Sequence, residues 1–266
     1  MIPRIIHYVW FGRNPLPEEA KKNIISWKKY CPGYTIIEWN EDNFPLEKYL
    51  YAKEAYEAKK WAFVSDVARL YALVKQGGIY MDTDVEVIAP LDKFLNNRAF
   101  SGFESNMGVP TGIMACEAEH PFFRNLLKEY KTAHFVNADG ILDLTTNVTR
   151  ITNACVRAGL KLNNKKQTIA DFTLYPKDYF CPLSHDSGNL EKTNNTTTIH
   201  WFAGSWKTDE EKNNHKRAVE IRNKHKYIGK PIAFIYEKIF KIRYILKYGS
   251  LTELFTRTKN YFSKQR

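Results

Sequence analysis

The chain has 266 residues, of which 44% are hydrophobic and 26% charged, and its formal net charge is +11. This length and composition indicate a globular α/β domain with or without a short appendage, and they exclude an intrinsically disordered chain. The sequence contains no apolar stretch near the roughly 18 to 20 residues of a spanning helix, and its apolar N-terminal run lacks the basic leader of a signal peptide, so we expect a cytoplasmic protein.

The first part of the chain alternates predicted strands with predicted helices. Aromatic and β-branched runs predict strands, whereas apolar residues at helical spacing predict helices. Strands are expected over residues 4–11, 34–39 and 79–81, and helices over 18–30, 46–60 and 62–76. This alternation is typical of a parallel, nucleotide-binding α/β half.

The second part of the main domain has a more mixed pattern. We predict strands over residues 99–103 and 112–116, helices over 121–133 and within 141–159, and irregular β structure over 169–201. A mixed sheet is therefore expected. The four cysteines are widely spaced and form no Cys-x-x-Cys pair, which indicates reduced thiols and no zinc site.

The C-terminal end differs in composition. From Lys212 onward it has 15 Lys and Arg against 3 Asp and Glu, whereas the rest has 25 basic and 26 acidic residues. Alternating intervals of four and three predict one apolar helical stripe formed by Ile228, Ile232, Ile235, Ile239, Ile242 and Leu246. Ser250 and Glu253 form a capping box, which predicts a second amphipathic helix. We predict a catalytic domain over 1–211 and a basic amphipathic helical tail over 212–266.

The tail pattern suits an anionic membrane surface, because an apolar stripe is flanked by Lys and Arg. We therefore predict peripheral membrane association through residues 228–266, at the inner face of the membrane. Packing of the stripe against the catalytic domain remains an open alternative. A nucleic-acid partner is disfavoured, because no recognised reading module accompanies the charge.

Two aspartates follow the third predicted strand, in the motif spanning residues 77–84. On an extended segment, Asp82 and Asp84 point to the same side. They stand at the carboxyl end of their strand, where open α/β sheets bind ligands. Paired carboxylates can hold Mn²⁺ or Mg²⁺, and the metal can hold a diphosphate. The motif is common, so two aspartates that merely cap a strand and a turn are the alternative.

Further residues favour the functional interpretation. Asp66 and Arg69 share an otherwise apolar helix face, so they form a buried ion pair or bind a polar ligand. Trp10 ends the first strand and either stacks on a nucleobase or joins the core. His200 is a candidate metal ligand or a structural histidine.

These segments together resemble a known family. Ile-Ile-His-Tyr-Val-Trp-Phe-Gly over 5–12, Ser-Asp-x-x-Arg over 65–69 and Gly-Gly-Ile-Tyr-x-Asp-x-Asp over 77–84 are similar to the DxD-containing glycosyltransferase family 32. That family includes the yeast initiating α-1,6-mannosyltransferase and bacterial capsular polysaccharide enzymes. Its core also resembles the glucosyltransferase domains of large clostridial toxins. The resemblance is strongest over residues 3–94.

The resemblance implies a GT-A fold, with a Rossmann-like nucleotide-binding half and a mixed sheet. It also implies a retaining, Mn²⁺- or Mg²⁺-dependent transfer from a nucleotide sugar, with UDP preferred over GDP. The expected acceptor is a glycan or a lipid-linked saccharide, in capsule or cell-surface polysaccharide synthesis.

The resemblance also assigns roles to residues. The donor-binding set would be Val9, Trp10, Phe11, Gly12, Asp66, Arg69, Gly78, Tyr80, Asp82, Ser205 and Trp206. The metal ligands would be Asp82, Asp84 and His200, and the catalytic set Asp66, Arg69 and Asp84. Candidate acceptor-side residues are Asp139, Thr146 and Asn147, by approximate position. Toxin-like members separate the serine and tryptophan by one residue, whereas Ser205 and Trp206 are adjacent here.

Two other functions compete with a glycosyltransferase. In a phosphohydrolase, Asp82 would be the nucleophile, but a Thr or Val normally stands at the position of Glu86. A non-catalytic, basic membrane-surface adaptor would explain the tail but not the clustered Asp, Arg and Trp residues. An EF-hand loop is excluded, because Val87 stands where glycine is needed and Lys93 where the bidentate Glu belongs.

Overall fold

This computed structural model describes residues 1–105, 108–109, 112–205, 208–224 and 228–248, with side chains described as far as residue 243. Its strands are β1 (Ile5–Val9), β2 (Thr35–Trp39), β3 (Gly78–Met81), β4 (Val85–Val87), β5 (Ala99–Gly102), β6 (Ile113–Cys116), β7 (Gln167–Ile169), β8 (Phe172–Tyr175) and β9 (Thr198–His200). Its α-helices are α1 (Glu18–Tyr30), α2 (Leu50–Glu57), α3 (Trp61–Gln76), α4 (Pro121–Glu129), α5 (Asn147–Arg157), α6 (Lys177–Phe180), α7 (Asp209–Lys224) and α8 (Gly229–Tyr248). Short 3₁₀ helices span Leu46–Lys48 and Asp92–Phe94.

Seven of the strands form one mixed sheet, in the order β2-β1-β3-β6-β5-β8-β7. β1 runs parallel to β2 and β3, and β5 runs parallel to β8, whereas β6 is antiparallel to both of its neighbours. β4 and β9 form a separate antiparallel pair. The predicted GT-A arrangement, a parallel α/β half extended into a mixed sheet, is confirmed.

The sheet separates two hydrophobic cores, because successive strand residues point to opposite faces. On β1, Ile6 and Tyr8 enter one core, which also contains Trp27 from α1. Val9 enters the other core, which is built with residues of α2, α3, α4 and α5. Helices therefore cover both faces of the sheet, and the ends of its strands are left to form the site.

The predicted elements match the structure closely where the apolar pattern is strong. The helix over 18–30 is confirmed as α1, and the helix over 62–76 is confirmed as α3 with one additional residue at its start. The single helix predicted over 46–60 is wrong. It divides into a 3₁₀ turn and α2, because Tyr49 between them has an extended backbone, with φ −129° and ψ 96°. The predictions named no strand at β4 and no helix at α6, and they included α7 only as an undivided part of the helical tail.

The chain divides into two compact units, residues 1–184 with 189–203 and residues 185–188 with 204–266. In the second unit, α7 packs against α8. Their close approach needs the glycine at position 229, because a Cβ there would lie 2.5 Å from the Arg222 carbonyl oxygen. The Arg222 guanidinium also donates to Glu237 at 2.8 Å. The predicted division at residue 211 stays a prediction.

The isoleucine stripe predicted for the tail is exposed, and it lies on α8 except for Ile228, which directly precedes that helix. Each of Ile228, Ile232, Ile235, Ile239 and Ile242 is between 39% and 56% exposed. The side chain of Leu246 and the predicted helix after Ser250 lie outside the described residues. Within the ranges that the structure describes, a helix long and apolar enough to cross a membrane is not found.

Candidate active site

The two aspartates of the DxD motif lie on a tight turn between β3 and β4. The Val85 amide donates to the Asp82 carbonyl oxygen at 3.0 Å and closes this turn. The Asp82 amide donates to the Gly112 carbonyl oxygen at 2.9 Å, which attaches the turn to the start of β6. We predicted an extended segment, so the side chains converge for another reason: the turn, and not strand alternation, brings them together.

His200 reaches the same turn from β9. β9 pairs with β4 so that His200 stands opposite Val85, and its Nε2 lies 3.2 Å from Asp84 Oδ1. The Ala203 amide donates to Asp84 Oδ2 at 2.8 Å, and the preceding residue, Phe202, has a left-handed backbone with a φ of 53°. One candidate ligand atom each from Asp82, Asp84 and His200 lies within 4.8 Å of the others.

The donor atoms of this cluster fit a divalent cation. Carboxylate oxygens suit Mg²⁺ and Mn²⁺, and an imidazole adds a nitrogen ligand. Burial opposes charge on both partners of the His200–Asp84 pair, but each stabilises the other's charge, so the pKa of His200 is raised and that of Asp84 lowered. Asp84 therefore favours a positive charge beside it, and a metal ion bound there would replace the proton of His200, because only the neutral imidazole offers a nitrogen lone pair. Three ligands, partly buried, can therefore hold a metal ion here.

Asp82 is held from the other side by a buried network. The Tyr80 hydroxyl donates to Asp82 Oδ1 at 2.6 Å, and the Arg69 guanidinium lies 3.3 Å from the same oxygen. The guanidinium also lies over the Tyr80 ring, 4.6 Å from its centroid, and 3.3 Å from Asp66 Oδ1. Asp66 and Arg69 thus lie together, as their shared helix face predicted, and Arg69 joins them to the DxD turn.

Burial and neighbouring charges shift the pKa values of Asp66 and Arg69. Burial raises the pKa of Asp66 to about 6, and the neighbouring charge of Arg69 opposes that rise. Burial disfavours the charge of Arg69 as well, but Asp82, Tyr80 and Asp66 outweigh it and raise the pKa of Arg69. One arginine between two carboxylates therefore stays charged, and it can contact a phosphate or a sugar hydroxyl.

The acceptor-side candidates separate in the structure. Asn147, the first residue of α5, is buried, and its main-chain amide donates to Asp66 Oδ2 at 3.2 Å while its Nδ2 donates to the Asp66 carbonyl oxygen at 3.2 Å. Thr146 caps α5, where its hydroxyl oxygen accepts from the Thr149 amide. Asp139 is exposed in the preceding loop, and its amide donates to Asn137. Asn147 therefore joins the Asp66 group.

The β1 end of the site holds Trp10. Because β1 and β3 are parallel, with His7 opposite Tyr80, Trp10 and Asp82 follow the same ends of neighbouring strands. The half-buried indole of Trp10 donates to the Asn14 carbonyl oxygen at 2.6 Å. The predicted arrangement of Trp10 and the aspartates at one sheet edge agrees with this geometry, while stacking on a base stays a prediction.

The remaining donor-side candidates occupy different surroundings. Val9 and Phe11 are buried in the core, and the amide of Gly12, with a φ of 96°, donates to Glu41 Oε1 at 2.7 Å. Gly78 lies at the opposite end of β3 from the aspartates, where a Cβ would come within 2.7 Å of the Ile5 carbonyl oxygen. The exposed Ser205 belongs to the second unit, and Trp206 lies outside the described residues.

Sequence reasoning missed two residues that support the cluster. Gly112 leaves room for His200, because a Cβ there would lie 2.9 Å from His200 Nδ1. A glycine at the first position of a predicted strand is a signal of close approach, and it was available in the sequence. Ala203 contributes its main-chain amide to Asp84, which no side-chain pattern reveals.

Comparisons with known proteins agree with this site. The family profile described as "Glycosyltransferase sugar-binding region containing DXD motif" matches residues 17–101. Glycosyltransferase L373 of Acanthamoeba polyphaga mimivirus is 30% identical over 213 residues, which cover 73% of this chain and 82% of that protein.

Fungal relatives match a shorter region. Mannosyl phosphorylinositol ceramide synthase CSH1 of Saccharomyces cerevisiae is 30% identical over 135 residues, which cover 49% of this chain and 36% of that protein. The match thus spans little more than a third of the yeast relative. Among solved structures, the PaToxG glycosyltransferase overlays with a TM-score of 0.46 and 17% identity over 59% of this chain and 68% of that one. The extended match to the viral enzyme, together with the matched motif region, shows that the chain belongs to the glycosyltransferases whose sugar-binding region contains a DXD motif.

Proposed function

We propose that this glycosyltransferase moves a sugar from a nucleotide-sugar donor to a saccharide or lipid-linked acceptor, with Mn²⁺ or Mg²⁺ at Asp82, Asp84 and His200. The observation that carries the proposal is the convergence of these three side chains, from two distant parts of the chain, on one turn. A divalent cation bound there would offset the negative charge that grows on the departing nucleoside diphosphate.

The chain's own groups around the turn suit the rest of the donor. Arg69 is buried and stays charged, so it can bind a phosphate oxygen or a sugar hydroxyl, and Asp66 beside it can accept hydrogen bonds from sugar hydroxyls. Trp10 offers an aromatic surface for the base at the same strand edge. The family resemblance supports retention of the anomeric configuration. We propose no side chain as a nucleophile.

The donor sugar is the open part of the proposal. The resemblance to toxin domains favours a UDP-sugar, whereas the fungal relatives are named as mannosyltransferases or as mannosyl phosphorylinositol ceramide synthases. Donor hydrolysis with UDP-glucose, UDP-galactose, UDP-N-acetylglucosamine and GDP-mannose distinguishes a UDP-sugar donor from a mannose donor. Proton NMR of the product gives the anomeric configuration, and a β-linked product from an α-linked donor would contradict retention.

Donor hydrolysis in the presence of Mn²⁺ tests the proposed activity. We expect free sugar from at least one donor, and a loss of at least about 100-fold in Asp84→Ala, because the ion loses a charged ligand. Asp92→Ala is the matched control, since Asp92 pairs with Arg4 on the surface and its removal should leave hydrolysis unchanged. Phosphate release from p-nitrophenyl phosphate instead of sugar release would indicate a phosphohydrolase. Absence of both activities would favour the non-catalytic membrane-surface adaptor.

We also propose that α8 binds an anionic membrane surface, where a peripheral enzyme would meet an acceptor for cell-surface polysaccharide. The stripe of exposed isoleucines is accompanied by Lys230, Lys238, Lys241 and Arg243 on the same helix. The helix also has a partner for its other side, since Tyr236 lies under the Arg217 guanidinium of α7 and Glu237 pairs with Arg222. Apolar insertion and cationic attraction together favour lipid headgroups with negative charge.

Sedimentation with phosphatidylglycerol vesicles tests this surface. The variant Ile232→Gln/Ile235→Gln/Ile239→Gln should lose binding, while glutamine preserves helix propensity. The matched control Ile25→Gln/Leu50→Gln/Val156→Gln removes three apolar side chains that are 63%, 41% and 44% exposed elsewhere. Equal binding by both variants would contradict the membrane proposal, as would equal binding of the native chain to neutral phosphatidylcholine vesicles.

A further inference from the structure

Phe202 has a backbone conformation that phenylalanine rarely adopts. It lies two residues after the end of β9, and its φ of 53° is in the left-handed region, where a bulky side chain is strained and glycine is favoured. Such strain persists only where the surrounding structure enforces it, and it is concentrated at functional sites. A phenylalanine at this position therefore indicates that its side chain has a role.

The backbone on both sides of Phe202 is bound to one aspartate of the DxD turn. The Trp201 amide donates to the Asp84 carbonyl oxygen at 2.9 Å, and the Ala203 amide donates to Asp84 Oδ2 at 2.8 Å. The left-handed conformation of Phe202 lies between these two amides. Glycine adopts that conformation without strain, so the main-chain bonds alone do not explain a phenylalanine here.

The ring of Phe202 lies against the imidazole of His200. The two ring centroids are 4.1 Å apart, and the ring planes are inclined by 35°. Phe202 is half-buried and, within the ranges that the structure describes, joins neither of the two hydrophobic cores. Core packing therefore does not explain this ring, whereas its contact with the candidate metal ligand does.

The other neighbours of the imidazole leave this contact a distinct role. Gly112 gives it room at Nδ1, and the buried Cys181 thiol, a weak hydrogen-bonding group, interacts with it as well. Nε2 lies 3.2 Å from Asp84 Oδ1. Both groups would turn to a bound metal ion, so their mutual contact would then no longer orient the imidazole. A ring-to-ring contact needs neither ring nitrogen and is compatible with Nε2 as a metal ligand.

We infer that Phe202 is a positioning residue for the metal cluster, whose ring holds the His200 imidazole with Nε2 facing the DxD turn. This inference rests on the proposed metal site and adds a residue that sets its geometry. An aromatic pair contributes stabilisation beyond the area that it buries, and groups that orient a ligating histidine raise metal affinity. An imidazole fixed in advance also loses less conformational entropy when an ion binds.

NMR of the metal-free protein tests the ring contact independently of activity. The protein is labelled with ¹³C,¹⁵N-histidine, and the His200 ring signals are identified by their loss in His200→Gln. We expect a nuclear Overhauser effect between a His200 ring proton and Gly112 Hα, and its loss in both Phe202→Ala and Phe202→Gly. Phe202→Gly removes the ring while the left-handed backbone stays unstrained. Absence of the effect in the native protein, or its persistence in either variant, would overturn the inference.

Mn²⁺ binding gives the second readout. Electron paramagnetic resonance measures free Mn²⁺ as the protein is titrated without donor. Phe202→Ala and Phe202→Gly should each raise the Mn²⁺ Kd about three- to tenfold, the range that an aromatic pair contributes. Phe202→Tyr keeps the ring and should restore most of the affinity. Native affinity in Phe202→Gly would reduce the role of Phe202 to its backbone and overturn the inference.

The matched control is Phe122→Ala. Phe122 is also half-buried, and its ring centroid lies 5.2 Å from that of Phe172, away from the metal cluster. This variant should lose stability and keep its Mn²⁺ affinity, and an equal loss of affinity in Phe122→Ala and Phe202→Ala would overturn the inference. If the native chain binds no Mn²⁺, the proposed metal site fails by itself, while the Overhauser effect still tests the contact of Phe202.

Discussion

The hydrogen bond from Tyr80 to Asp82 should raise the metal affinity of the cluster, although Tyr80 is not itself a candidate ligand. Tyr80→Phe removes only the hydroxyl and keeps the ring on which the Arg69 guanidinium lies. Asp82 then loses a 2.6 Å donor and keeps Arg69 at 3.3 Å as a looser partner. A hydrogen bond to a charged acceptor contributes about 1.5–3 kcal/mol, but the Asp82 side chain is 24% exposed, so water replaces part of it.

We therefore expect the lower part of that range at the site, which corresponds to a decrease of about 10- to 30-fold in the apparent Mn²⁺ affinity. Donor hydrolysis across a Mn²⁺ titration measures the decrease, and urea unfolding measures the cost in stability. Tyr8→Phe is the matched control, because the Tyr8 hydroxyl donates to Glu38 at the same 2.6 Å away from the metal cluster. Both variants should lose stability, and only Tyr80→Phe should lose Mn²⁺ affinity. Equal Mn²⁺ affinity in the two variants would refute this reasoning.

Two further predictions concern the scaffold. Burial lowers the pKa of His7 to about 4, while its Nε2 donates to the Gly77 carbonyl oxygen and its Nδ1 accepts from Trp39. The second imidazole proton binds more readily to His7 in the unfolded chain than in the folded one. The free energy of unfolding therefore keeps its full value above pH 6.5 and falls by up to about 3 kcal/mol as the pH drops from 6.5 to 4. Urea unfolding should show a shallower fall for His7→Gln, and equal pH dependence would contradict the assignment. Asn147→Ala should lower the free energy of unfolding by about 1 kcal/mol, because it removes the bond from Asn147 Nδ2 to the Asp66 carbonyl oxygen. The main-chain amide of residue 147 still donates to Asp66 Oδ2, so kcat should change less than twofold. Urea unfolding and donor hydrolysis measure the two effects, and a large fall in kcat at unchanged stability would contradict this reasoning.

Local periodicity was sufficient to place Asp66 and Arg69 together, whereas their donor-binding role comes from the family resemblance and stays a prediction. Asp66 and Arg69 lie one helical turn apart, so the pattern of α3 alone places them on one face. The parallel order of the first strands follows from helices that intervene between them, and this order carries Trp10 and Asp82 to one edge. These features depend on neighbours in the sequence, which is why the sequence reveals them.

The opposite side depends on contacts that a sequence pattern does not contain. β4 and β9 have three residues each, too few to show a period, and their pairing joins segments more than 100 residues apart. Without this pairing, His200 is only one histidine near the end of the domain. The bounds of α7 within the predicted helical tail were not found for a related reason, because Ala218 is its one buried residue within the described chain and an apolar stripe is therefore missing.

The two aspartates of the DxD turn are held by residues from different parts of the fold. Asp82 is fixed by Tyr80 and Arg69, groups that come from the buried sheet and from α3. Asp84 is fixed by His200 and by a main-chain amide that follows β9, on a short and separate ladder. A shift of that ladder would move His200 and Asp84 together, because the Trp201 amide donates to the Asp84 carbonyl oxygen and His200 Nε2 lies 3.2 Å from Asp84 Oδ1. The proposed metal ligands Asp84 and His200 would then move as one unit, while Asp66 and Arg69, the proposed donor-binding residues, stayed in place.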